Sequence, residues 1–350
     1  MSPIRPPSPG VRSALKLLLF GGFGAGAGFI VPSTVSSATA QESHLLVVVG
    51  LGGDEEHRDR FHGWAGRLVD AAVGPLGLGS ERVHYLGERP DRDPERIDGR
   101  STRDGVSERL QMIAGQSPND AHVVLILIGH GSERDGQARV NLPGPDLTAG
   151  ELGQMLEGLG DRPTTVIQTT SASGGFLEAL SREGRVIMTA TRSAREGNEP
   201  RFPEHLTAAF TDGGADTDKD GRVSMLEAFT YARLEVVRSH EQDGILLTEH
   251  ALLDDNGDGV GSPAPPEDGE DGAVARRRFL APGSGRPGVV ADPELAGLYA
   301  RRDSLQAEVD ALRDERGTMT AEAYESRLEA LLVDLALLTR EIRAREGGGE

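Results

Sequence analysis

The sequence predicts an α/β protein with a doubly wound, mainly parallel sheet covered by helices on both faces, followed by a C-terminal helical hairpin or coiled coil. Three observations carry that prediction. Short apolar runs recur with almost no polar alternation, which implies strands buried on both faces. Amphipathic stretches separate them in β-α-β-α-β order, the pattern of a parallel sheet. Beyond a Pro- and Gly-rich stretch, apolar residues return at spacings of three and four over two further segments.

In chain order, the first forty residues hold Arg5, Arg12 and Lys16, an apolar glycine-rich run from Leu17 to Val31, and then Ala38-Thr39-Ala40. This is the layout of a secretory signal peptide cleaved near Ala40. The other reading is a single membrane anchor, for which the five glycines of the run make a poor spanning helix. Export to a periplasmic or extracellular location is therefore expected, with no stable membrane span after cleavage.

The α/β domain is assigned to residues 41–260. Its strands are read at 45–49, 83–86, 123–128, 165–167 and 186–188, and its helices at 55–72, 101–114, 149–159 and 176–182. Residues 261–292 are rich in Pro, Gly, Asp and Glu and read as a solvated linker with a basic island at Arg276-Arg277-Arg278. Residues 293–346 carry Leu295, Leu298, Arg302, Leu305, Val309 and Leu312, then Tyr324, Leu328, Leu331, Leu335, Leu338 and Ile342 after a break at Gly317. Two heptad-patterned helices this short need a partner for their seam, so a homo-oligomer or docking on the main domain is expected.

Composition narrows the function classes. The 350 residues include no cysteine, which excludes disulfides, thiolate metal sites and a cysteine nucleophile. With 37 basic against 56 acidic side chains the net charge is −19, and loss of the first forty residues, which hold three basic and no acidic side chains, would make it −22. Nucleic acid is not an expected partner of so acidic a chain. A peptide or protein partner is left open by that charge.

Chemistry in a doubly wound sheet sits at the carboxyl ends of strands. The third strand runs into Gly129-His130-Gly131-Ser132, and the fourth into Gln168-Thr169-Thr170-Ser171-Ala172-Ser173-Gly174-Gly175. His130 between glycines leaves its imidazole and nearby N–H groups accessible for proton transfer and for an oxyanion site. Ser171 precedes a Gly-Gly pair that suits a sharp turn. A histidine in a glycine loop is also an ordinary loop residue, and the spacing leaves both readings open.

These two stretches, with the following Val186-Ile187-Met188-Thr189-Ala190-Thr191 strand, resemble the legumain-type peptidase family within the caspase-like group, over roughly Leu45 to Leu253. The resemblance implies a caspase-like α/β sandwich. It puts His130 on the catalytic histidine, Gly131 on the residue whose N–H helps form the oxyanion hole, and Ser171 where the family has its nucleophilic cysteine. A thiol with a pKa of about 8.5 is partly ionised at neutral pH, whereas a serine hydroxyl needs a closely held and oriented base. Two function classes follow: a degenerate pseudo-peptidase, or an active endopeptidase or esterase using Ser171 with His130. Asp54, Glu55 and Glu56 are the candidates for orienting His130. Arg192, Arg195, Glu196 and Asn198 lie where a specificity pocket or a solvated loop would be.

The segment Asp216-Thr217-Asp218-Lys219-Asp220-Gly221-Arg222-Val223-Ser224-Met225-Leu226-Glu227 matches a twelve-residue EF-hand loop. Oxygens at positions 1, 3, 5 and 9 (Asp216, Asp218, Asp220, Ser224), Gly221 at the sharp turn, Arg222 at position 7 and Glu227 at position 12 meet the demands of Ca2+. No standard entering helix is read, because Gly213-Gly214-Ala215 interrupts the approach; calcium is the preferred reading, and an acidic turn capping the next helix is the alternative. A second acidic turn, Asp254-Asp255-Asn256-Gly257-Asp258-Gly259, lacks the final glutamate and is a weaker site, a contributor to one shared site or only a turn.

Overall fold

The computed structural model describes residues 42–265, 271–281 and 293–346. The expected signal peptide lies outside the described residues.

In chain order the strands are β1 (Ser43–Val49), β2 (Val83–Gly87), β3 (Gly99–Arg100), β4 (His122–Ile128), β5 (Gly131–Arg134), β6 (Gln137–Val140), β7 (Leu147–Thr148), β8 (Thr164–Gln168), β9 (Val186–Thr189) and β10 (Leu252–Asp254). Seven of them form one sheet in the order β10-β9-β8-β4-β1-β2-β3. All its pairings are parallel except that of β10 with β9 at the edge. Because side chains alternate along a strand, β1 sends Leu45, Val47 and Val49 to one face and Leu46 and Val48 to the other. Both faces are covered, which is why the strand sequences lack polar positions.

The first face is covered by α1 (Glu55–Val73), which contributes Phe61, Trp64 and Leu68. On the opposite face lie α2 (Arg103–Gln116), α3 (Ala149–Glu157) and the short α4 (Leu177–Leu180), with Val106, Leu110, Leu152 and Leu180 buried. Two further helices join α1: α5 (Phe202–Thr211) and α6 (Met225–Asp243), through Phe202, Phe210, Phe229 and Val236. Side chains start these helices where the sequence permits. Asp54 accepts the His57 N–H, and Thr148 with Glu151 and Ser224 with Glu227 form reciprocal capping boxes.

Three features depart from the expectations. β5, β6 and β7 form a separate antiparallel sheet directly after His130, and β3 and β10 extend the main sheet at its edges. The turn after β8 is a 3-10 segment, Ser173–Phe176, so the helix read at 176–182 shortens to four residues. The stretch 261–292 is not a solvated linker throughout. Within it, Ala275, Leu280 and Ala281 are buried in the first-face core. Asp255 holds that segment by accepting N–H groups from Gly272, Val274 and Ala275. His122 donates from Nδ1 to the Phe279 carbonyl at 3.1 Å and accepts from Thr165 Oγ1 at 2.8 Å. A polar composition concealed this packing because the contacts are made largely by backbone groups.

The C-terminal helices are α7 (Pro293–Asp314) and α8 (Ala321–Glu346). They run antiparallel: Leu295 and Tyr299 near the start of one pack with Leu338 and Ile342 near the end of the other, and Arg345 pairs with Glu294. The hairpin touches the α/β domain through Arg302, which is buried and 3.4 Å from Asp220, and through Asp303, 3.5 Å from Arg222. On α8, Leu332, Val333 and Leu337 remain exposed. Among the described residues, no helix is long and apolar enough to cross a membrane.

Candidate active site and calcium loop

The parallel pairing of β4 with β8, Leu127 opposite Gln168, brings the two expected site loops together at the carboxyl edge of the sheet. Gly131 is required there: a Cβ would lie 2.0 Å from the Ser171 carbonyl oxygen. The Gly131 N–H donates to Ser171 Oγ at 3.1 Å, and the Ser171 hydroxyl donates to the Gly131 carbonyl at 3.0 Å. Ser171 is buried. The next residue, Ala172, has φ +57°, a left-handed conformation that costs a non-glycine residue about 1 kcal/mol. It is held by its own N–H donating to the Glu196 carbonyl at 2.9 Å. Ser173 is also buried, and its hydroxyl accepts the Thr191 N–H, so it fastens the loop.

His130 turns the other way. Its Nε2 donates to the Gly52 carbonyl at 3.2 Å, and its ring packs 4.8 Å from the His57 ring and 5.1 Å from Phe61, centre to centre. No hydrogen bond joins His130 to Ser171. In the neutral ring, the bond to Gly52 leaves Nδ1 as the lone-pair nitrogen. Thus the structure brings Gly131 to Ser171, and sets His130 beside them without engaging the hydroxyl.

None of the three expected acidic residues orients His130. Asp54 is used at the start of α1, accepting the His57 N–H at 2.9 Å and pairing with His57 Nδ1 at 2.7 Å. Glu55 pairs with Arg58, Arg89 and Arg92, and Glu56 with Arg60. The reason is geometric: these side chains start α1 and look along its first turn, while the Gly52 carbonyl lies nearer the imidazole. Instead, His57 is the residue that joins the carboxylates of the region. Its Nε2 reaches Glu199 Oε2 at 2.9 Å, and its hydrogen bond to Asp54 raises its pKa, with Glu199 adding to the rise. The Asp54 carboxyl is lowered in return, chiefly by the His57 backbone N–H.

The loop after β9 is pinned at two points. Glu196 pairs with His250 Nδ1 at 2.8 Å and with Arg192 at 3.0 Å, while Glu199 pairs with His57 and Arg60. Arg192, Arg195 and Asn198 are exposed and Glu196 is half-buried. Of the four, Glu196 therefore serves the loop's anchorage. Sequence reading missed His57, Glu199 and His250; the one local signal was the Asp54-to-His57 spacing of three at a helix start.

In the expected calcium loop, residues 216–227, Lys219 and Gly221 take positive φ of 58° and 81°, which folds the acidic segment back on itself. Asp216, Asp218 and Glu227 each bring an oxygen within 4.8 Å of the other two. Enclosure of the carboxylates, followed by mutual repulsion, raises the pKa of Asp216 and pushes Asp218 up to about 6. A group of crowded carboxylates that oppose their own ionisation is chemically suited to a hard divalent cation. The Asp220 and Ser224 side chains are engaged elsewhere. Asp220 Oδ2 is engaged by Arg222 at 3.0 Å and Arg302 at 3.4 Å, so the Arg222 side chain serves as a counter-ion. The Ser224 hydroxyl caps α6. Glu227 divides its oxygens, Oε1 accepting from Thr217 and Oε2 from Ser224. A helix does precede the loop, since α5 ends at Thr211, five residues before Asp216.

The second acidic turn is used internally. Asp254 accepts from Gly257, Gly259 and Ser181, and Asp255 holds the 272–275 segment.

No family model matches the chain, and no curated protein matches it in sequence. Among solved structures it is similar to the initiator caspase Dronc of Drosophila, at 11% identity and a TM-score of 0.42, over 63% of this chain and 82% of that one. It is likewise similar to a structural-genomics target from Geobacter sulfurreducens, at 11% identity and a TM-score of 0.41, over 69% of this chain and 99% of that one. The α/β class rests on the sheet itself, mainly parallel and covered on both faces.

Proposed function

We propose that this is an exported, caspase-like protein of the legumain type whose peptidase site is degenerate, with a calcium-binding loop and a helical tail for assembly or partner binding. One observation carries the degenerate reading. The Ser171 hydroxyl and the Gly131 peptide satisfy each other in both directions, at 3.1 and 3.0 Å. The N–H that the family resemblance assigns to an oxyanion is thereby turned to the residue in the nucleophile's place. His130, with Nε2 on the Gly52 carbonyl, makes no hydrogen bond that would take the hydroxyl proton. Attack on a carbonyl would require breaking both Ser171 bonds and bringing in a base, whereas a thiolate would need no such base.

The three gathered carboxylates of Asp216, Asp218 and Glu227 support calcium binding, and the exposed Leu332, Val333 and Leu337 support the assembly role of the tail.

The direct test is reaction of the protein, in calcium buffer, with a fluorophosphonate. No labelling is expected. Stoichiometric labelling that disappears in Ser171→Ala would instead establish the active serine endopeptidase or esterase.

A further inference from the structure

At the amino edge of the sheet, opposite the His130 loop, Arg162, Arg182, Arg185 and Arg278 line an open hollow of about 220 Å³. Four arginines and two acidic residues, Asp161 and Glu183, line it, an excess of two positive charges. Glu157, which pairs with Arg182 and Arg185 from behind the lining, still leaves an excess of one. In a chain of net charge −19 such a concentration runs against the whole-molecule field.

The four arginines differ in how they are satisfied. Arg182 has Asp161 at 2.8 Å, and Arg185 donates to the Leu180 carbonyl at 2.9 Å with Glu157 at 3.5 Å. Arg162 spends its donors on carbonyls at the end of α2, those of Ala114, Ser117 and Pro118, and on Leu159, so its charge meets no carboxylate. Arg278 has neither a carboxylate nor a hydrogen-bonded partner for its guanidinium among the described residues. Its backbone is nevertheless fixed, because its carbonyl accepts the Met225 N–H at 2.8 Å and the next residue, Phe279, bridges Ser224. A half-buried guanidinium held in place without a counter-ion is costly unless an anion completes it. Burial and the neighbouring Arg277 lower the pKa of Arg278, and Arg278 in turn helps to keep buried His122 neutral.

We propose that this hollow is a binding site for a small anion carrying more than one negative charge, of the phosphate class, with Arg278 as its principal donor and Arg182 and Arg185 closing around it. A planar guanidinium can present two parallel N–H groups to such an oxyanion.

The probe is inorganic phosphate, titrated calorimetrically into the full-length protein at constant ionic strength made up with chloride, because exposed charges are otherwise screened. Saturable one-to-one binding is expected, weaker by about tenfold or more in Arg278→Gln. Glu183→Gln, which removes a repelling charge from the rim, should tighten it by about threefold. Absence of saturable binding, or equal affinity in Arg278→Gln, overturns the site. Equal affinity for acetate and phosphate overturns the multivalent class. Should Arg278→Gln fail to fold, Glu183→Gln decides alone, and an affinity that does not rise overturns the proposal.

Discussion

Ser171 sits where a nucleophile would be expected, yet its local bonds are those of a structural hydroxyl, closed on the Gly131 peptide from both sides. The contact exists because Gly131 carries no Cβ and the backbones of the β4 and β8 loops can approach closely. Another buried polar residue makes a pH prediction. His122, fully enclosed at the start of β4, is held neutral down to about 3, first by burial and then by Arg278. Burial likewise lowers His84 to about 4. The unfolded chain takes up these protons near pH 6.5, while the folded chain does not. Stability should therefore be intact above about pH 6.5 and fall as pH drops toward 3, by at most about 1.4 kcal/mol per pH unit per histidine. Urea denaturation from pH 7 to 4 on the wild type and His84→Gln measures this; the variant should show the shallower fall, and identical slopes would refute the assignment to His84. His130 and Ser171 were legible as residues because glycines surround them. The Gly52 carbonyl was not, since any residue type supplies one.

At the scale of the element, the proposed calcium loop and α6 share residues. Glu227 is both the twelfth loop position and the N3 partner of the Ser224 capping box. Glu227→Gln keeps a side chain able to cap the helix while removing a charge from the loop. Combined with Asp216→Ala it should abolish stabilisation by calcium. For the wild type, calcium at a hundred times its dissociation constant should add about 2.7 kcal/mol. Melting in calcium and in chelator, for both proteins, is the measurement; an equal melting temperature in all four conditions removes the calcium site. The twelve-residue spacing was readable because each position answers one coordination demand. That Asp220 would turn to Arg222 and Arg302 was not, because Arg302 arrives from α7, more than eighty residues away. The second acidic turn was ambiguous for a similar reason: its aspartates serve backbone groups and Ser181, which no local pattern reveals.

At the scale of the whole molecule, the sheet places the two site loops at one edge and the arginine hollow at the other, with the helical hairpin attached through Arg302 and Asp303. The hairpin's inner seam is partly covered: Leu295, Tyr299, Leu338 and Ile342 pack on one another, and Val309 and Leu312 of α7 are buried. Leu332, Val333 and Leu337 on α8 are between 44% and 51% exposed, and the proposed assembly role of the tail rests on them. Sedimentation of the wild type is expected to show self-association that Leu332→Glu with Leu337→Glu abolishes; a wild type that stays monomeric at high concentration would remove the homo-oligomer.

What was legible in the sequence were the things written in local periodicity and chemical identity: five buried strands, the first helices on each face, two helices at the C-terminus, the acidic loop, and the absence of cysteine. Continuous apolar runs admit few alternatives to a covered parallel sheet. Contacts between distant segments settled the rest. Whether Ser171 met a base or a peptide depended on the approach of two loops forty residues apart, and whether 271–281 was linker or core depended on Asp255, His122 and Met225 receiving it. Such outcomes turn on distances of a few ångströms between groups whose separation along the chain carries no periodic signal.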